Sequence, residues 1–204
     1  LAAIIGYIEL ASISEGSQNC ANELHEALMA SNRAKDLVRQ ILAFSRQTDE
    51  ERMPVRVSLV VKEAVKFLRA TIPTSIEIKT HNGEKSGAVL ANSVELHQII
   101  MNLCTNAVHA IGEKDGILEI EVQYAEIDHK QKDGVIGLEP GPYIRVSIRD
   151  TGAGMPPELL KRIFDPYFTT KAKGVGTGLG LAVVHGLVKK YGGAIKAESK
   201  PGKG

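Results

Sequence analysis

An α+β chain is what the residue pattern predicts: an antiparallel pair of helices, then a domain of mixed helix and strand. Two apolar stripes at helical spacing, parted by a polar break, give the helix pair, and a charged run ending in proline closes it. Beyond that run the spacing of apolar residues switches between helical and alternating, which gives the second domain.

The first stripe lies in LAAIIGYIELAS, where Leu1, Ile4, Ile5, Ile8 and Ala11 share one helical face. Ser14 to Asn19, rich in Ser, Gly and Asn, make the break. The second stripe is Leu24, Leu28, Ala34, Leu37, Val38, Ile41 and Leu42, with Glu23, Glu26, Lys35 and Arg39 among the solvent-side positions. Such a pair forms a hairpin. Each helix keeps an apolar face to cover, so the hairpin is expected to be half of a dimeric four-helix bundle; the alternative is a helical cap packed on its own domain. Gln47 to Pro54 is charged and without apolar period. Residues 48–54 are therefore read as a linker between a hairpin at 1–47 and a second domain at 55–204.

In the second domain Ser58 to Ala70 predicts a helix, Ser75 to Thr80 a strand, and Ala88 to Ala91 a short strand. Asn92, with Glu95 at the third helical position, predicts a capping box opening an apolar helix from Ser93 to Ile111. Ile117 to Ala125 and Tyr143 to Asp150 predict two long strands around a glycine-rich, charged loop. Met155-Pro156-Pro157-Glu158 opens a short helix, since proline is tolerated in a first turn. The last helix is expected from near Gly178 to Lys190, and a further strand from Gly193 to Ser199.

Composition excludes some functions. Lysine and arginine total 25 against 24 acidic residues, so the net charge of +1 gives no bulk drive toward nucleic acid or an anionic membrane. Cys20 and Cys104 lack zinc-site spacing, and two thiols cannot staple a small scaffold. A reducing cytoplasm fits, with Cys104 a buried small hydrophobe inside IIMNLCTNAVHAI. No apolar run is long enough to span a bilayer, so any membrane anchor is expected in sequence outside this chain.

Three motifs carry the chemistry. Asn102 and Asn106 stand four apart on one helical face. A carboxamide oxygen suits a hard cation such as magnesium, which leans on substrate phosphates, although such pairs are commonly plain surface residues. Asp150-Thr151-Gly152-Ala153-Gly154-Met155 follows the strand YIRVSIRD. Its aspartate can accept from an exocyclic amine and its glycines let backbone approach a planar ring; a tight turn is the plainer reading. Gly174-Val175-Gly176-Thr177-Gly178-Leu179-Gly180-Leu181 runs straight into a helix, where free N–H groups and the dipole favour phosphate. It has neither the preceding strand of a dinucleotide fingerprint nor the ending of a P-loop.

Taken in order, ELHQIIMNLCTNAVHAI, DTGAGM, IFDPYFTTK and GTGLGLAVV resemble the N, G1, F and G2 boxes of the histidine kinase catalytic domain, in the gyrase, heat-shock chaperone and mismatch-repair ATPase superfamily. The resemblance implies an α/β sandwich of the Bergerat type binding ATP and magnesium. It implies Asp150 as acceptor of the adenine amine, Gly152 and Gly154 beside the base, Asn106 as magnesium ligand, and Asn102 at the phosphates. Gly176, Thr177, Gly178, Leu179 and Gly180 would hold the phosphates. A lid would run from Phe164 to Gly178, with Lys171 near the terminal phosphate. His109 stands where relatives often carry a basic residue, and both phosphate contact and a satisfied half-buried histidine fit it. Asn92 replaces the family's usual aspartate, which keeps a cap but removes a charge.

LAAIIGYIEL resembles the stretch just after the family's phosphorylated histidine, so that residue is expected upstream of Leu1 and a final sheet strand after Gly204. The implied activity is a protein-histidine kinase of a two-component system, itself a phosphoprotein, dimeric through the hairpin and passing phosphate to a response regulator receiver domain. Asn102 and Lys171 would serve the transfer. A hydrolysing clamp of the same superfamily is disfavoured because those enzymes carry a glutamate base where Asn102 stands, and a carboxamide cannot accept the proton. A binding module without chemistry is disfavoured because the asparagines, the aspartate and the glycines are all present.

Overall fold

The computed structural model describes residues 52–83, 87–112, 114–128, 138–171 and 177–204, together with residues 8, 11, 24, 27 and 31. They belong to two compact units, one of Leu1–Glu50 with Thr170–Gly176, the other of Glu51–Thr169 with Thr177–Gly204. In the first unit the five described N-terminal residues are helical; Ala11 and Ala27 are buried, while Ile8 and Leu24 are half exposed. The rest of the expected hairpin lies outside the described residues. No described helix is long and apolar enough to cross a membrane.

The second unit opens with β1 (Met53–Arg56), which pairs antiparallel with β3 (Ala88–Ala91), Met53 opposite Ala91. Met53 and Pro54 are thus strand, not the linker that their charged neighbours suggested. A two-stranded ladder has outward-facing N–H positions on both strands, where proline forfeits no bond. Next comes α1 (Val57–Arg69), with Val57, Val60, Val61, Ala64 and Leu68 buried on a single face. Arg69 ends it by donating to the carbonyls of Ile76 at 2.9 Å and Ile78 at 3.3 Å.

Those carbonyls belong to β2 (Ile76–Asn82), which runs parallel to β4 (Gly116–Ile127). β5 (Gly141–Asp150) is antiparallel to β4, with Asp150 opposite Leu118. A parallel pair needs a crossover, and here it is β3 followed by α2 (Ser93–Ile111). Side chains alternate across the sheet. Ile76, Leu118, Ile120 and Val122 are fully buried against α1 and α2, where Ile100, Cys104, Ala107 and Ile111 meet them. Each such aliphatic side chain contributes about 1.5–3 kcal/mol by burial. The other face carries Glu77, Lys79, His81, Glu119, Glu121 and Arg149, with Glu119 taking contacts from His81 at 3.2 Å and Arg149 at 3.6 Å. Helices on one face and charge on the other make a two-layer α/β sandwich.

The short α3 (Pro157–Leu160) and α4 (Gly180–Lys190) complete the helices. α4 ends in a Schellman-type cap: Gly193 N–H donates to the Val188 carbonyl and Gly192 N–H to the Lys189 carbonyl, both at 2.9 Å, with Gly192 at φ 69°. The strand expected at Gly193–Ser199 does not form. Bonds there and just beyond go to the loop after β5 and to a C-terminal turn. Met155 N–H donates to Ser199 Oγ at 2.8 Å, Gly202 N–H to the Ala153 carbonyl at 2.7 Å, and Lys200 N–H to the Gly204 carbonyl at 2.9 Å.

Candidate functional site

α2 carries the first part of the site, and its start differs from the expected capping box in one half. Asn92 Oδ1 accepts from the N–H groups of Val94 at 2.8 Å and Glu95 at 3.3 Å, as a cap should. The Glu95 carboxylate does not return to the Asn92 N–H. It accepts from Lys190 Nζ at 2.7 Å and from the Tyr191 hydroxyl, while that hydroxyl accepts from the Asn92 N–H at 3.0 Å.

Two turns further along, Asn102 and Asn106 are half-buried. A methyl built on Gly180 would lie 3.4 Å from Asn102 Oδ1 and 4.0 Å from Asn106 Nδ2, so the first turn of α4 stands directly against the pair. Leu179 precedes that turn and supplies no side-chain cap to it. The first N–H groups of a helix have no partner inside it and carry the positive end of its dipole. Two carboxamides and a helix start that its own N-cap residue leaves without a side-chain cap thus share one place. Thr177 Oγ1 accepts from the Leu179 N–H at 3.4 Å. Gly178 adopts φ 67° and a methyl there would meet the Tyr167 carbonyl carbon at 2.4 Å, so only glycine fits.

Asp150, half-buried, ends β5, and the DTGAGM loop that follows is locked to α2. Its Oδ1 accepts from the Gly152 N–H at 2.8 Å, which leaves the second carboxylate oxygen to receive another donor. Ala153 N–H donates to the Ala110 carbonyl at 3.0 Å, satisfying one of the last carbonyls of α2. Gly152 lies so close that a methyl would sit 2.5 Å from the Ala110 carbonyl carbon. At Gly154 the obstacle would be the Lys200 carbonyl oxygen, at 2.1 Å. These glycines admit the protein's own backbone, a role the sequence pattern did not reveal.

His109 is exposed in the last turn of α2, which removes the half-buried reading. Lys171 belongs to the other compact unit, and partial burial lowers its amine below the ordinary lysine range. Gly176 lies outside the described residues. Among the described residues no three His, Cys, Asp or Glu side chains gather to hold a metal. The chemistry of a neutral carboxamide oxygen such as that of Asn106 fits a magnesium ion that takes most of its ligands from substrate oxygens and water. Cys104 is fully buried and burial pushes its thiol up to about 12, so it is a core residue and no nucleophile. Sequence reading missed Glu95 as a tertiary ligand and Tyr191 altogether, and the signal available was a tyrosine just before the Gly-Gly that ends an apolar helix.

The family model of histidine kinase-, DNA gyrase B-, and HSP90-like ATPases matches residues 91–204. The chain is 35% identical over 173 residues to the sensor kinase CckA of Brucella abortus (strain 2308), taking in 85% of the chain and 18% of CckA. It is 45% identical over 116 residues to the sensor histidine kinase ZraS of Klebsiella oxytoca, taking in 57% of the chain and 21% of ZraS. The chain thus spans about a fifth of the length of these curated relatives. In structure it resembles histidine kinase ThkA, solved in complex with response regulator protein TrrA, with a TM-score of 0.69 and 21% identity over 98% of this chain and 54% of that one. At that identity the likeness speaks to the fold.

Proposed function

The chain belongs to the histidine kinase-, DNA gyrase B-, and HSP90-like ATPase family, and on that footing we propose that it is the ATP-binding kinase core of a two-component system. The terminal phosphoryl group of ATP passes to an imidazole nitrogen of a histidine: an N–P bond forms, the bond to the bridging oxygen breaks, and ADP leaves. A response regulator then takes the phosphate. The observation that carries this reading is the meeting of Asn102, a residue that cannot act as base, with the first turn of α4.

Each residue has a part in that reading. Asp150 accepts the adenine amine through its second oxygen, and the locked Gly152–Gly154 loop walls the base. The first-turn amides of α4, with Thr177 to Gly180, hold the phosphates. Asn106 gives its oxygen to magnesium, which when bound neutralises phosphate charge. Asn102 orients the terminal phosphate without activating water. His109, exposed at the end of α2, is assigned to the phosphates as well.

Supporting a homodimer, Ile8 and Leu24 lie on the apolar stripes of the N-terminal segment and are 50% and 52% exposed. The similarity to the sensor kinases CckA and ZraS supports a response regulator's receiver domain as the next acceptor.

The test is incubation of the full-length protein with ATP labelled on its terminal phosphate. Protein-bound label that is lost in acid, survives base and moves to a receiver domain is expected. Steady release of free phosphate, with no such label at any time, would make the protein a hydrolase.

A further inference from the structure

The contact between Glu95 and Tyr191 lies at the far end of α4 from the phosphate site, and nothing proposed above uses it. α4 runs antiparallel to α2 and meets it near both ends. At one end Gly180 faces Asn102; at the other the Tyr191 hydroxyl accepts from the Asn92 N–H at 3.0 Å and donates to Glu95, with Lys190 Nζ on the same carboxylate at 2.7 Å. Glu95 and Asn102 are about 10 Å apart along α2 at 1.5 Å per residue.

Between these ends little fixes how far one helix is slid along the other. Val184 is the one fully buried residue of α4, and Ala182, Val183, Leu187 and Val188 around it are half-buried and aliphatic, while the half-buried His185 turns its ring to Phe164, with ring centres 5.6 Å apart. Apolar contact is non-directional, so it holds the helices together without selecting a register. A charge-assisted hydrogen bond does select one, because it weakens steeply with distance and angle. Tyr191 can transmit that selection because its own backbone is fixed by the Gly192–Gly193 cap. Arg52 closes the cluster, with its guanidinium 5.3 Å from the centre of the Tyr191 ring.

We propose that Glu95 and Tyr191 are positioning residues for the phosphate end of the nucleotide site: their hydrogen bond sets the register of α4 on α2. That register fixes where the first-turn amides of α4 stand relative to Asn102 and Asn106. The inference rests on the reading of that turn as the phosphate cradle.

Tyr191→Phe keeps the ring and removes the bond, and the full chain is titrated with Mg-ATP and, separately, with adenosine. Mg-ATP affinity is expected to fall about tenfold while adenosine affinity stays within about twofold. Glu95→Gln, which still accepts the hydroxyl but without the charge, should lose about threefold for Mg-ATP, whereas Glu95→Leu should behave like Tyr191→Phe. Equal losses for both ligands would reduce the pair to general stability and overturn the proposal. Should Tyr191→Phe fail to fold, Lys190→Met is the milder variant, with about a threefold loss for Mg-ATP and none for adenosine. Nuclear magnetic resonance of the ligand-free chain decides the matter without nucleotide. The Gly180 amide and Asn102 carboxamide signals should shift in the variant while Gly152 stays; shifts confined to residues 92–95 would overturn it. A wild-type chain that bound neither ligand would sink the site reading, and the resonance result would still judge the register.

Discussion

Gly180 presents its bare Cα to the Asn102 carboxamide, with room for one methyl at ordinary contact distance, 3.4 Å from Oδ1. That spacing separates function from fold at a single position. Gly180→Ala fits without displacing backbone, and alanine suits a helix better than glycine, so stability should be unchanged or higher by up to about 1 kcal/mol. The same methyl stands between Asn102 and the first turn of α4. Mg-ATP affinity should fall about tenfold, read by titration, in a protein that melts no earlier than wild type.

Gly152→Ala is the opposite case. Its methyl would lie 2.5 Å from the Ala110 carbonyl carbon and 2.6 Å from the oxygen, and backbone at a helix end cannot step aside. A loss of about 2 kcal/mol or more is expected, with earlier melting even without ligand. Unchanged melting would show that the loop is free of α2.

Asp150 holds the Gly152 N–H through Oδ1, and the proposed function gives its other oxygen to the adenine amine. Asp150→Ala should cost about 1 kcal/mol of stability in addition to adenine binding. Asp150→Asn keeps an acceptor for Gly152 but turns an NH2 toward the adenine amine. It should melt like wild type and bind ATP at least tenfold more weakly, roughly the loss of one charged hydrogen bond.

The sequence showed most of what local pattern controls. Asn92 and the Ser93–Ile111 apolar run gave α2 its bounds, since cap and period both lie inside the segment. Asn102, Asn106, Asp150 and the start of α4 stood out because ligand chemistry restricts residue types at close spacing, and the structure brings the two asparagines and that helix start together. What remained hidden depends on partners distant in the chain. Glu95 looked like half of a capping box, but Tyr191, 96 residues on, offered a stronger partner. β1 was obscured by the charges before it, because a four-residue strand shows only when Ala88–Ala91 is beside it. Residues 193–199 alternate like a strand, yet Ser199 and the turn beyond it bond instead to the loop after β5.

Asn106→Ala should weaken nucleotide binding far more with magnesium than with a chelator present, because its assigned task is to give oxygen to the cation. Titrations under both conditions read this, and about a tenfold difference between the two losses is expected. Equal losses would make Asn106 a structural amide of the α2–α4 contact.

The Glu95–Tyr191 bond should leave a signature in stability that depends on pH. Burial alone would raise the Glu95 carboxyl, but hydrogen bonds from Lys190 and Tyr191 outweigh it and hold the group below its ordinary value. Its contribution is therefore whole above the ordinary carboxylate range and fades as pH falls through the lower folded value. Tyr191 is raised, first by burial and then by its bond to the Glu95 carboxylate, so its contribution is whole below its ordinary pKa of 10.0 and is lost as pH rises through the folded value. Between these limits Tyr191→Phe should be less stable than wild type by about 1 kcal/mol, a modest figure because the cluster is partly exposed. Melting curves of both proteins across pH give the measurement. The gap should be flat around neutrality and close toward strong acid and again above about pH 10. A gap that stays constant through both limits would mean that the hydroxyl acts by packing and that the Glu95 carboxylate is not its partner.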